Sequence, residues 1–394
     1  VSTGSQAMQL VTSLLVGLTT GVTVLLGQKI GEGRPDEAGS VVGSAICLFV
    51  CVALALTALL SALTKPFCRL LQAPEEAFVP TTQYVRICSA GTLFIVAFNV
   101  IGSVFRGLGD SKMPLITVAI ACVTNIFGDL LLVDVFQMGA AGAALATVFA
   151  QAVSVILSLF VIMRRKLPFT FRKEQLRFNR PLTAGILRLG IPIALQDVLV
   201  GVSFLVILAI VNSLGLLQSA GMGIAEKVCA FVMLLPSAFS QSVSAFVAQN
   251  TGAGKPERAK KALRYSVAVS LCISVFVFYF NFFHGDLLAG IFANDHAVIL
   301  EAADYLKAYA IDCLLTSFLF CLVGYFSGLG KTVFVMTQGI LGAFGVRIPV
   351  SFAMSRLPNV RLFYIGLATP CSTVVQVLLC LGYYAHLARR ERRA

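Results

Sequence analysis

Tryptophan is absent, histidine occurs three times, and only 12% of the 394 residues are charged. So little charge excludes a soluble globular domain, in which about a quarter of the residues are Asp, Glu, Lys or Arg. The three histidines, His284, His296 and His386, stand in loops or at the ends of apolar runs, which argues against a proton relay through histidine across a membrane. The eleven cysteines form no CxxC pair and no Cys/His cluster at metal-ligand spacing, so neither a disulfide framework nor a metal is expected. Cys47 and Cys51 share a helix face in apolar surroundings and read as packing residues. No nucleotide-binding motif is present, which argues against direct drive by ATP. An integral membrane enzyme would need a His/Asp or Ser/Lys cluster near the membrane face; none is found, and the chain is read as a non-enzyme.

What is plentiful is apolar sequence. Hydrophobic residues make up 58% of the chain and the mean hydropathy is +0.90. The runs match the roughly 20 residues that cross a bilayer as a helix, and continuous runs of this length satisfy their backbone as helices rather than as barrel strands. Eleven spans are expected, near 5–28, 39–64, 77–105, 113–133, 139–163, 184–213, 220–250, 260–284, 297–326, 332–355 and 361–387. Thirty Phe suit a plastic apolar cavity, though Phe is also ordinary core and lipid-facing material.

The net charge of +12 is distributed by side of the membrane rather than as a nucleic-acid footprint. Twenty-two of the thirty Lys and Arg lie in or beside alternate connections, at 29–34, 106–112, 164–188, 255–264, 331 and 389–393. The stretch 284–304 is acidic or neutral, with Asp286, Asp295, Glu301 and Asp304. This is the positive-inside bias, and it implies a multi-pass inner (plasma) membrane protein with a cytoplasmic C-terminus and no nucleic-acid partner. The basic stretch RRKLPFTFRKEQLRFNR (164–180) is expected to lie against anionic headgroups of the bilayer.

Part of the sequence occurs twice, 221 residues apart. Gln28, Gly31, Gly33, Pro35 and Ala38 return as Gln249, Gly252, Gly254, Pro256 and Ala259. Tyr84 returns as Tyr305, and Phe105, Gly107, Leu108 and Gly109 return as Phe326, Gly328, Leu329 and Gly330. Two membrane units of this kind are a common way to build a central cavity with alternating openings. The Gly-rich loops lack the GxxxxGK[ST] pattern of a phosphate cradle and join two spans, so Gly for a tight turn and Pro to start the next helix is the simpler reading. The division expected is an N-terminal lobe 1–165, a basic cytoplasmic linker 166–183 and a C-terminal lobe 184–394. The first copy has five spans and the second six, and Val1 aligns with Met222 at the start of a second span. A further helix before Val1 is therefore expected; a natural eleven-span protein is the alternative.

The loops GQKIGEGRPDEA and AQNTGAGKPERA, with FRGLGDSKMP (105–114), TNIFGDLLL (124–132) and GAAGAALAT (139–147), resemble the multidrug and toxic compound extrusion (MATE) family over essentially the whole chain. The resemblance implies an all-α membrane protein with two parallel-repeat lobes around a central cavity. That is five plus six transmembrane helices here, and six plus six in a full-length protein. It implies a secondary active exporter of organic cations and other amphipathic compounds, driven by sodium or protons and needing no other cofactor. A monomer is expected. A flippase for a lipid-linked oligosaccharide precursor is the alternative; it would need a cavity rich in Arg or Lys, and of the mid-membrane positions only Arg347 is cationic.

Asn125 and Asp129 lie four apart on one helix face, where an amide and a carboxylate can converge on a small cation or a proton. A charge in a span costs roughly 2.5–3.5 kcal/mol on insertion scales, so it marks function by default. The bland reading is that Asp129 reaches interfacial water or caps a neighbour. The resemblance implies that Asn125, Asp129 and Thr147 of the next helix carry the coupling site. The second copy has Val346 and Val350 at the places of Asn125 and Asp129, so the site is asymmetric. Gln196 and Asp197 follow Pro192, which removes a backbone hydrogen bond and opens the helix locally. A carboxylate there can take a cationic substrate or a proton, or make a structural hydrogen bond. The family's glutamate in this helix falls near Val200, so Asp197 does not correspond to it. Asp312 and Arg347 are intramembrane charges of opposite sign, read either as a structural or gating pair or as part of the substrate pathway. Glu226 and Lys227 lie near a helix end and are expected to snorkel.

Overall fold

The computed structural model describes residues 2–70, 75–164, 167, 169 and 171–391, and among them there is no strand. Long uncharged runs leave the backbone no partner but itself, and the chain is accordingly helical. The order is α1 (Ser2–Gly31), α2 (Pro35–Leu70), α3 (Glu75–Ala90), α4 (Thr92–Gly107) and α5 (Lys112–Asp129), which runs into a π-helical turn Leu130–Val135. Then come α6 (Gly139–Arg164), a 3-10 turn Lys173–Gln175, α7 (Arg180–Asn212), α8 (Leu216–Gly252), α9 (Pro256–Phe283), α10 (Gly285–Gly290) and α11 (His296–Gly328). Helix α12 (Thr332–Ile340) continues through a π-helical stretch Leu341–Arg347 into α13 (Ile348–Met354), and α14 (Leu362–Gly366) and α15 (Ala368–Glu391) complete the chain.

Ten helices among the described residues are long and apolar enough to cross a membrane, and the pair α3/α4 makes an eleventh span bent by 57°. The bend was not legible as such in the sequence, which reads 77–105 as one run. It falls at Gly91, where the space a Cβ would need is occupied by both methyl groups of Val148 at 2.4 Å.

The described chain separates into two compact units, and the boundary falls inside α7 and α8. The first is Val1–Ala194 with Ala248–Gly254. Its core is built from Leu15, Val22 and Leu26 of α1, Phe49 of α2, Ile95 and Val96 of α4, and Ile186 of α7. Membrane helices gain little from hydrophobicity against one another, so small residues set how closely they pack. The repeated loops show this. A Cβ on Gly31 would lie 2.0 Å from the carbonyl oxygen of Gln249, and one on Gly252 would lie 2.1 Å from that of Gln28. The two copies of the motif thus cross each other reciprocally. The loop glycines Gly33 and Gly254 have φ of 68° and 66°, a left-handed turn in both copies, as the Gly-Pro pattern implied.

The second unit is Leu195–Val247 with Lys255–Ala394. Helix α11 runs through it, buried along most of its length. Met222, Val228, Ile365 and Leu362 pack around its Tyr305, Tyr309 and Cys313, and Val247, Leu263 and Val335 around its Phe326. Buried hydroxyls bridge helices here: Ser317 donates to Ser274 at 2.7 Å. On the acidic stretch, Asp295 accepts the amide of Ala297 at the start of α11, and Asp304 is paired with Arg361.

Candidate functional site

In the first unit, α5 lies on α6 with Gly128 against Ala146: a Cβ on Gly128 would come within 2.9 Å of the Ala146 methyl. The residues that follow each of these in sequence are Asp129 and Thr147. The close crossing therefore places an acid and a hydroxyl at one level, with Asn125 one turn away on α5. All three are half-buried. Asn125 Nδ2 and Asp129 Oδ1 are buried and have no hydrogen-bond partner among the described residues. Thr147 donates to the carbonyl of Ala143 at 2.9 Å, which leaves its oxygen lone pairs available. Asp129 is the last residue of α5 before the π-helical turn. Widened turns of this type are rare in helices and occur mostly where function demands a break in the ladder.

Two further residues belong to this neighbourhood. The Tyr84 hydroxyl accepts from Ser5 at 3.3 Å and lies near enough to interact with Thr147. Gln151, one turn along α6 from Thr147, has a buried Oε1 without a partner among the described residues. Thr147, Gln151, Ser154 and Ser158 recur at helical spacing along one face of α6, and Ser154 donates to the carbonyl of Thr117 on α5 at 2.9 Å. Tyr84 is visible in the sequence only as part of the echo, because an aromatic ring in an apolar run has no signature of its own. Gln151 was detectable from its spacing to Thr147. A buried polar atom without a partner is costly; two unsatisfied acceptors and one donor on facing helices form a site that a small cation, a proton or water can complete.

In the second unit, Asp312 (1% exposed) and Arg347 (6% exposed) are both buried. The expected direct pair is not formed: among the described residues no ion pair joins them. Each has a neutral partner instead. Thr373 donates to Asp312 Oδ1 at 2.5 Å, and Arg347 Nη1 donates to Ser203 Oγ at 3.3 Å. The Arg347 guanidinium also lies over the Phe204 ring, 4.5 Å from its centroid. Asp312 Oδ2, Arg347 Nε and Ser351 Oγ are buried without partners among the described residues. The two charges remain close enough that each lies in the other's field. Arg347 closes the π-helical stretch, and Pro349, two residues on, has no N–H to give to the carbonyl one turn back; the irregular ladder accommodates that loss.

Gln196 packs its side chain on Gly339, where a Cβ would lie 2.8 Å from its Cδ, and its Oε1 has no partner among the described residues. Asp197 is half-buried on α7, which continues through Pro192 as one helix. Lys227 reaches over the ring of Phe292, 5.9 Å from its centroid.

A family model described as MatE matches residues 1–131 and 192–353. The probable multidrug resistance protein YoeA of Bacillus subtilis (strain 168) is 24% identical over 390 residues, covering 97% of this chain and 84% of that protein. The FAD transporter of Shewanella oneidensis is 28% identical over 299 residues, 74% of this chain and 65% of its own. Among solved structures, one described as the outward-facing conformation of a multidrug resistance MATE family transporter of the MOP superfamily has a TM-score of 0.93 at 16% identity, over 100% of this chain and 89% of that one. A MOP superfamily transporter from Pyrococcus furiosus, described as having a binding pocket of reversed polarity, has a TM-score of 0.92 at 18% identity, over 98% and 87%.

Proposed function

The chain belongs to the MatE family, and from that premise we propose that it is a secondary active efflux transporter that exports amphipathic organic compounds, chiefly cations, by alternating access. It is a multi-pass membrane transporter rather than an enzyme. The observation that carries the reading is the set of unpartnered polar atoms on Asn125 and Asp129, held at a break in a membrane helix beside Thr147. Occupation of that site by a sodium ion or a proton satisfies the Asp129 carboxylate oxygen and neutralises its charge. A ligand shifts a conformational equilibrium only by its differential affinity for the two states, and a carboxylate whose burial differs between states provides such a difference. The orientation that fits the charge bias has the basic connections and the C-terminus in the cytoplasm, in the inner membrane, with a monomer as the working unit.

The test is uptake of a fluorescent cation into everted vesicles, with sodium and pH gradients imposed separately. Uptake that collapses when one gradient is removed identifies the coupling ion, and Asp129→Asn abolishes it. Wild-type uptake in that variant, or none under either gradient in the parent protein, refutes the reading.

A second reading has support from Arg347, a buried cation with an unpartnered Nε, and from the FAD transporter among the relatives. On it, the substrate carries an anionic group. Transport of a flavin nucleotide that fails in Arg347→Gln while cation uptake persists would favour it.

A further inference from the structure

The first unit contains a cavity of about 500 Å³ bounded by α2, α4, α6 and the segment that follows α6. It is separate from the Asn125–Asp129 site, none of whose residues line it. Every lining residue is apolar, Phe49, Val100, Val104 and Leu159 among them. Water is held in a cavity by two to four polar partners, and this one offers none. Its size is that of a small-molecule site. Leu93 and Met163 on its rim are exposed, so it opens toward the lipid-facing side.

The wall contributed by the linker is a built feature. Leu167, Phe169 and Phe171 alternate in sequence and all three line the cavity; Phe169 is 6% exposed. The segment is pinned to α2 just beyond them. Gln175 Nε2 donates to the carbonyl of Asp36 at 3.2 Å, and the Gln175 backbone oxygen lies 2.0 Å from where a Cβ on Gly43 would be. Ser44 donates to the carbonyl of Arg177 at 3.4 Å. Residues 164–180 carry seven basic side chains against one acid, Glu174. Of these, Arg164 and Arg172 are exposed on either side of the three lining residues, and the Arg164 guanidinium lies over Phe160, 4.6 Å from its centroid.

We propose that this cavity holds an acyl chain of an anionic phospholipid from the leaflet that the linker faces, with the headgroup phosphate held by Arg164 and Arg172. The apolar walls select hydrocarbon and the strip of positive charge at the linker selects the sign of the headgroup. A cationic substrate is disfavoured twice, by the lack of any polar atom in the walls and by the charge of the linker. The site does not depend on the coupling mechanism.

The test is lipid titration of the purified full chain in mild detergent by native mass spectrometry, with phosphatidylglycerol and phosphatidylcholine of identical chains. The parent protein is expected to bind phosphatidylglycerol roughly 10-fold more tightly, and Arg164→Gln/Arg172→Gln to reduce that preference to near unity. Ala97→Phe and Ile101→Trp, which fill the cavity from α4, are expected to weaken binding of both lipids, and glycerophosphoglycerol, the headgroup without chains, not to compete. Equal binding of the two lipids by the parent protein overturns the proposal. So does full retention of phosphatidylglycerol in either filled variant, competition by the free headgroup, or displacement of the lipid by a fluorescent cation. The arginine variant leaves the cavity untouched, so it decides the headgroup claim even if the filled variants do not fold.

Discussion

Helix α11 runs unbroken from His296 to Gly328, whereas its counterpart in the first copy is cut at Gly91 into α3 and α4 and bent by 57°. The 221-residue offset places Asp312 at the position of Gly91 and Thr369 at the position of Val148. One copy therefore has a missing side chain into which a valine presses, and the other a buried carboxylate tied to a hydroxyl of α15. The helices α5 and α12 diverge in the same way. Both pass into a π-helical stretch, but at Leu130 in one and at Leu341 in the other, where strict repetition would place the second ten residues later. Asp129 stands just before the first and Arg347 ends the second. The glycines that turn the loops are kept in both copies, while the ionisable groups differ in place and in sign. Turns and crossings are demanded of each copy by its own packing, so they persist through duplication. On the proposed function a coupling site is needed once, and its counterpart is free to become something else.

That comparison is broken most severely at Asp129. Asp129→Asn is expected to eliminate gradient-driven uptake, and Val350→Asn, at the corresponding place in the second copy, to leave it intact; loss in both variants would mean that the two copies share the chemistry. Next in size is Asp312→Ala, which removes the charged acceptor of the Thr373 hydroxyl and the carboxylate in whose field Arg347 lies, and is expected to cost about 1.5–3 kcal/mol of stability, read from unfolding in mild detergent. Gly91→Ala is expected to cost about 1–3 kcal/mol through its clash with Val148, with most of that recovered in Gly91→Ala/Val148→Ala. No recovery would mean that the bend is held by something other than this contact. The smallest effects are expected where the copies agree. Gly33→Ala and Gly254→Ala each force a side chain into a left-handed turn at about 1–2 kcal/mol, and their melting shifts should be equal within error.

Much of this architecture could be read from residue order. The eleven spans and the turn glycines at 33 and 254 rest on local rules, in which a residue's own chemistry is enough. Asn125 and Asp129 could also be nominated, because polar residues in an apolar run are conspicuous, and Thr147 through the family resemblance. What could not be read depends on a neighbour. Gly91 looks like any helix glycine until Val148 is placed against it. Asp312 and Arg347 look like a pair until each is found hydrogen-bonded to a neutral residue instead, Thr373 and Ser203. Tyr84 gains a role only when Ser5 and Thr147 reach its hydroxyl.

The sequence by itself determined that this is a helical membrane protein built on a repeat, because hydropathy, charge bias and a constant offset are properties of the chain before it folds. Only the tertiary structure decided where the helices break, which buried polar atoms remain unpartnered, and that an apolar stretch of the linker walls a cavity. Each of those is a relation between side chains far apart in sequence, set by the close packing that small residues allow, and no single residue carries it alone.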